Sequence, residues 1–232
     1  LKLFEWGKVF FHRENQAQPL EKICLAGVVV GMYTERSWHN EERAVDFFDM
    51  KGIMAGLFES LGLEGFRFKR EKDIPGYDQE ISSAIYCADT RLGQVGFAAP
   101  EVTDAYELKM NPVCLFEIDV AALLAVLPEK RTFVPFGRFP AVHRDLSLVL
   151  DRGTECDAVT DIIKEVGGHL LESVYVFDLY EGERIDSSEK AISFKISFRS
   201  DRGTLDGEEI NRLYEAIVEE VRSKTGGKLR EG

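Results

Sequence analysis

Phe139–Asp151, FPAVHRDLSLVLD, is the stretch on which the reading of the chain turns. Phe139-Pro140 is a turn signal, because proline fixes its own φ and biases the residue before it toward extended backbone. Arg144, Leu146, Leu148 and Leu150 then alternate with Asp145, Ser147 and Val149, the period-two pattern of a half-buried strand. The residues that follow continue one unit. Asp157 is placed to cap a helix with inner face Val159, Ile162, Ile163 and Val166, stopped by Gly167-Gly168. Leu170–Tyr180 reads as a long strand. Ile192, Phe194, Ile196 and Phe198 alternate with Ser193, Lys195, Ser197 and Arg199 in a second amphipathic strand. Asp206-Gly207-Glu208-Glu209 has the spacing of a capping box. It opens a helix with Ile210, Leu213, Tyr214, Ile217 and Val221 on one face, ended by Gly226-Gly227, and Lys228-Leu229-Arg230 is a short last strand. The order β-α-β-β-α-β over 139–232 is the ferredoxin-like arrangement.

In that arrangement both helices cover one sheet face, and the other stays open. The open face is expected to carry Ser147, Ser193, Lys195, Ser197 and Arg199, with Tyr175 and Phe177 nearby. Polar, cationic and aromatic groups on an open sheet suit single-stranded RNA, which is read by stacking and base-edge hydrogen bonds. The same alternation also describes a sheet whose polar face simply meets water.

Upstream, Pro128, Pro135, Gly137 and Pro140 punctuate a stretch with no stable period, and 132–138 reads as a linker. Its apolar Phe133, Val134 and Phe136 predict a segment lying along a surface. Residues 1–131 read as a separate α+β domain with a largely antiparallel sheet. Leu3–Phe10 is a strand, and Glu14, Asn15, Gln16, Gln18 and Pro19 form a polar loop. Ile23–Val30 looks like a strand buried on both faces. Phe47, Met50, Met54, Leu57, Phe58 and Leu61 make one helical face, with Asp46 as N-cap and Gly62 as stop. Gly52 and Gly56 weaken that helix and mark a close approach to another element. Further strands are expected at Phe66–Lys69, Ile81–Ala88, Gly93–Ala98 and Val113–Asp119, with a hairpin turn at Arg91-Leu92-Gly93 and a short helix at Ala121–Leu127.

Composition is that of a globular protein, 44% hydrophobic and 30% charged. No apolar run approaches the roughly 20 residues of a membrane span. The chain begins without Met in a charged, strand-like pattern, which reads as a piece of a longer protein with no secretory signal. The net charge is −12, shared by both parts. Phosphate neutralisation supplies most non-specific nucleic-acid affinity, so this chain should bind RNA weakly or within a larger assembly. Cys24, Cys87, Cys114 and Cys156 are far apart, form no C-x-x-C pair and have no His nearby in sequence. No metal site is expected. Cys24, Cys87 and Cys114 read as small core residues in a reducing compartment, the cytoplasm.

FPAVHRDLSLVLD, GGHLLESVYVFDLYEG, KAISFKISFRSDRGTL and the EEINRLY helix together resemble the ferredoxin-fold anticodon-binding domain that ends the β subunit of bacterial phenylalanyl-tRNA synthetases. The first part resembles the catalytic-like core of the same subunit, through FEWGKVF, then DFFDMKG, Ile74-Pro75-Gly76, GQVGFAAPEV and LFEIDVAALL. Ile74 stands where that family usually has His, and Ala98-Ala99-Pro100 where it has Leu-His-Pro. The resemblance implies a class II synthetase-like antiparallel domain that packs against a catalytic α subunit without doing chemistry. The residues agree with that: Lys69-Arg70-Glu71 has Lys in place of the first activating arginine of a class II site, and Gly93-Gln94-Val95-Gly96 is not followed by Arg. Asp46, Asp49, Glu117 and Asp119 fit a helix cap and a strand face better than an acid/base pair.

Carried over by position, the resemblance implies tRNA contacts at Phe139, Pro140, Arg144, Asp145, Lys195 and Arg199, with Arg144–Asp145 as a structural ion pair in the alternative. It implies α subunit and phenylalanine tRNA as partners, an (αβ)2 heterotetramer, ATP and magnesium used by the holoenzyme rather than by this fragment, and no membrane. An amino-acid-sensing regulatory module shares the β-α-β-β-α-β order, although Arg152-Gly153-Thr154 has one glycine where such domains are Gly-rich. An assembly domain without RNA contact also fits the acidic charge.

Overall fold

A computed structural model describes residues 1–14, 16–109, 112–130, 133, 135–182 and 185–230. Asn15 of the expected polar loop and Arg131, Thr132 and Val134 around the expected linker lie outside the described residues. The chain divides into two compact units, Leu1–Thr132 and Phe133–Gly232.

The first unit is built on a six-stranded sheet of β1 (Lys2–Phe11), β2 (Leu20–Val30), β5 (Phe66–Arg70), β6 (Tyr77–Cys87), β7 (Thr90–Ala98) and β8 (Val113–Asp119). Its order is β1-β2-β8-β7-β6-β5, and every neighbouring pair is antiparallel. β3 (Met32–Thr34) and β4 (Arg43–Ala44) make a small separate ladder, and α2 (Pro100–Ala105) and α3 (Val120–Val126) follow β7 and β8. α1 (Phe47–Leu61) starts at Asp46, whose carboxylate accepts from the Asp49 N–H while the Asp49 carboxylate accepts from the Asp46 N–H. It ends at Gly62, in the left-handed conformation glycine favours. Met50, Met54 and Phe58 are fully buried against Val95, Cys114 and Ile118 of the sheet.

Three expectations are corrected here. A Cβ at Gly52 or Gly56 would meet nothing within 4 Å, so neither glycine marks a close approach. The β6–β7 hairpin turns at Ala88-Asp89, where Ala88 has φ 48°, while Leu92 and Gly93 lie inside β7. Gly93 answers to packing: a Cβ there would fall 2.0 Å from the Glu117 carbonyl oxygen on β8. β2 is not buried on both faces, since Ile23 is exposed and Leu25–Val28 are half-buried. Its neighbour β1 is a sheet edge with Leu3, Phe4, Trp6, Phe10 and Phe11 all exposed.

The second unit has β9 (Val142–Asp151), α4 (Cys156–Gly167), β10 (Leu171–Tyr180), β11 (Glu189–Phe198), α5 (Gly207–Thr225) and β12 (Lys228–Leu229). The sheet order is β10-β11-β9-β12, with the first strand central beside the third and fourth. α4 and α5 bring Val159, Ile163, Ile210, Ile217 and Val221 onto Leu146, Leu148, Leu150, Ile192, Phe194, Ile196 and Phe198. The period-two leucines of FPAVHRDLSLVLD therefore line the core, as their spacing demands. Two caps differ from expectation. Glu155, not Asp157, is the N-cap of α4, and it makes no side-chain cap bond. Asp206 caps α5 by accepting from the Glu208 N–H at 3.4 Å, without the reciprocal bond of a capping box. Among the described residues no helix is long and apolar enough to cross a membrane.

Candidate nucleic-acid interface

The face of the second sheet turned away from α4 and α5 is the candidate site. Side chains alternate along strands, so the residues between the buried leucines and phenylalanines share this face. Register sets them in rows: His143 opposite Ser197, Asp145 opposite Lys195 opposite Tyr175, and Ser147 opposite Ser193 opposite Asp178. At the far end Tyr180 is paired with Ala191 and Ala191 with Val149. The Arg230 guanidinium, just past β12, lies 4.8 Å from the Tyr180 ring centroid.

Lys195, expected on this face, and Asp145, implied as a contact by the resemblance, are brought together there, Nζ to Oδ1 at 3.9 Å. Lys195 Nζ also lies 5.6 Å from the Phe177 ring centroid. β10 carries a register shift between Val176 and Asp178, so Phe177 is the inserted residue of a bulge. Tyr175 and Phe177 are 53% and 49% exposed, leaving ring faces open beside a cation and a carboxylate.

The serines are not free. Ser193 and Ser197 are buried, Ser193 Oγ lies 2.8 Å from Ser147 Oγ, and Ser197 Oγ lies 2.9 Å from His143 Nδ1. β11 is a central strand, so its small polar groups are closed over by cross-strand partners. Arg199 is also engaged. Its Nε donates to Glu172 Oε1 at 2.7 Å, and its Nη1 donates to the Phe139 carbonyl at 2.6 Å and the Gly137 carbonyl at 3.5 Å. Arg144 does not pair with Asp145, because consecutive strand residues point to opposite faces. It donates instead to Asn211 Oδ1 on α5 at 3.0 Å and to the His143 carbonyl at 3.1 Å. Phe139 is half-buried and Pro140 exposed at the entry to β9.

The first unit's carboxylates act as caps and ion-pair partners. Asp119 accepts from the Ala121 and Ala122 N–H groups and pairs with Lys22 at 2.7 Å, and the Lys22 hydrogen bond holds its carboxyl below the usual range. Arg43 grips both Asp49 oxygens at 2.7 and 2.8 Å and lowers that carboxyl likewise. Cys24 and Cys114 are buried free thiols, and burial pushes Cys114 up to about 11, so neither is an active nucleophile near neutral pH. Cys87 is half-buried. Among the described residues no three His, Cys, Asp or Glu side chains converge as metal ligands would.

A family profile described as "Phenylalanyl tRNA synthetase beta chain CLM domain" matches residues 1–120, and one described as "Ferredoxin-fold anticodon binding domain" matches 137–230. Among curated proteins, the phenylalanine–tRNA ligase β subunits of Carboxydothermus hydrogenoformans and Halalkalibacterium halodurans are 33% and 36% identical over 99% of this chain. The chain spans 28% of the length of each. A solved pyrrolysyl-tRNA synthetase from Desulfitobacterium hafniense aligns with TM-score 0.40 and 17% identity over 54% of this chain and 41% of that one, too distant a likeness to bear on the argument.

Proposed function

This chain belongs to the phenylalanyl-tRNA synthetase β-chain family, and from that premise we propose that it serves ATP-dependent charging of phenylalanine tRNA in the cytoplasm. The second unit holds the anticodon region, and the first unit is a class II synthetase-like scaffold for a catalytic α subunit within an (αβ)2 assembly. The observation that carries the reading is the open sheet face of a unit that matches the anticodon-binding profile over 137–230, with Tyr175, Phe177, Lys195 and Asp145 gathered on it. Unstacked bases pack on aromatic faces, a lysine neutralises phosphate, and a carboxylate accepts from base-edge N–H groups. The exposed Phe4, Trp6 and Phe10, which share one face of edge strand β1, support the scaffold role, because large apolar groups exposed together mark a protein contact. ATP and magnesium belong to the catalytic subunit in this reading.

Of the six residues carried over by position, Arg199, Arg144 and the Phe139 carbonyl are engaged in hydrogen bonds within the unit, Pro140 is exposed at the entry to β9, and Asp145 lies beside Lys195 on the open face. Lys195 remains as the cation of the open face, with Tyr175 and Phe177 as its aromatic partners. The test is binding of phenylalanine tRNA to the assembled ligase at a fixed salt concentration, with wild type against Phe177→Ala and Lys195→Ala. Loss of affinity on the order of tenfold for Phe177→Ala is expected from removal of one stacked base. Unchanged affinity in both variants contradicts the assignment.

A further inference from the structure

The segment that enters the second unit carries two aromatic rings the fold does not use. Phe133 and Phe136 are 74% and 88% exposed and meet only edge-on, with centroids 6.3 Å apart. Val134, the third apolar residue of the expected linker, lies outside the described residues. Arg138 beside them is exposed, and no carboxylate occurs between Lys130 and Arg144 in a chain of net charge −12.

This segment is not left to wander. Arg199 has the strand parity of the open face, and its guanidinium reaches back to the carbonyls of Gly137 and Phe139 while Glu172 on β10 holds its other side. Gly137 leaves room for that grip, since a Cβ there would fall 2.2 Å from Arg199 Cδ and the arginine would have to shift. The clamp thus holds the backbone on either side of Arg138 against the end of β11. Arg199 is four residues from Lys195, roughly 13 Å along the strand.

We propose that Phe133, Phe136 and Arg138 form a second single-stranded RNA contact at the rim of the sheet, in which Phe136 stacks on a base and Arg138 meets a phosphate, with Arg199 and Gly137 as positioning residues. It rests on the reading of the open face as an RNA platform and extends it by a few nucleotides. Cations and aromatics without intervening acids favour RNA over a protein surface, and apolar faces with a basic neighbour are how sequence-tolerant strands are held. Arginine beside an exposed ring also adds a cation–π term when a base lies between them.

The experiment measures phenylalanine tRNA affinity of the assembled ligase across a salt series, with wild type, Phe177→Ala, Phe136→Ala/Arg138→Ala, and Gly137→Ala. The rim double variant removes exposed side chains, so folding is not at stake. Its affinity is expected to fall roughly tenfold, with a salt slope smaller by about one. Gly137→Ala is expected to weaken binding in the same direction by displacing Arg199. If Phe177→Ala loses affinity while the rim double variant binds as wild type with an unchanged slope, the rim contact is wrong and the platform stands. If neither loses affinity, both fall together. If the rim variant keeps tRNA but loses the α subunit on gel filtration, the segment is a protein contact and the proposal is overturned.

Discussion

Asp46 shows how much one side chain decides. It caps α1, exchanges bonds with Asp49, and is joined through Arg43 to the small β3–β4 ladder. Asp46→Ala should cost about 1 kcal/mol in urea unfolding, while Asp46→Ser should be close to neutral. Asp49 adds a pH dependence of known sign. Arg43 lowers its folded pKa, so its contribution is fully present above the ordinary carboxylate value near about 3.9 and is lost as pH falls through the folded value. Asp49→Asn should therefore be less stable than wild type at neutral pH, and the gap should close below about pH 4. A gap that persists unchanged at pH 3 would contradict the linkage. The cap was legible in the sequence because Asp before an apolar period of three and four is a local signal. The Arg43 clamp was not, since Arg43 is separated from Asp49 by six residues that only the fold brings round. On the candidate site, Lys195 was legible from alternation, whereas Asp145 entered only through the resemblance. Phe177 was legible only as a neighbour, because a bulge changes which way a side chain turns without changing the pattern before it.

At the scale of elements, the glycines separate local from tertiary causes. Gly52 and Gly56 sit in α1 with open space around them, and Gly52→Ala should stabilise by up to about 1 kcal/mol through helix propensity alone. Gly93 sits where β7 meets β8, and Gly93→Ala should cost about 2 kcal/mol or more because backbone must move. Thermal denaturation of the two variants checks both, and equal effects would mean the β7–β8 approach is looser than described. Sequence alone could not rank these positions: a glycine in a helix and a glycine in a strand both look like weak points. The same difficulty moved the β6–β7 turn, where Leu92-Gly93 mimics a turn and Ala88-Asp89 makes it. Strand existence was legible throughout, because apolar alternation in β9 and β11 is enforced by the core they share. Burial of β2 was not, since an apolar run says that a strand can be covered and not that it is.

For the whole molecule, the proposed tRNA role requires an acidic chain to concentrate its RNA contacts. The second unit does this by holding Arg144 and Arg199 in its own contacts and leaving Lys195 among open aromatic rings. That account expects modest affinity from the chain alone and a shallow salt dependence, since few phosphates are neutralised. In the proposed reading, the first unit's exposed β1 edge serves assembly. Trp6→Glu should reduce association with the α subunit by gel filtration while leaving the fold of an exposed edge intact, and undiminished association would remove β1 from the interface. The measurement that bears most directly on the central claim is discrimination between phenylalanine tRNA and an anticodon-substituted tRNA by the assembled ligase, with and without Tyr175→Ala/Phe177→Ala/Lys195→Ala. The account predicts that wild type prefers the natural anticodon and that the triple variant binds both tRNAs weakly and alike. Retention of full affinity and full preference by the triple variant would contradict it.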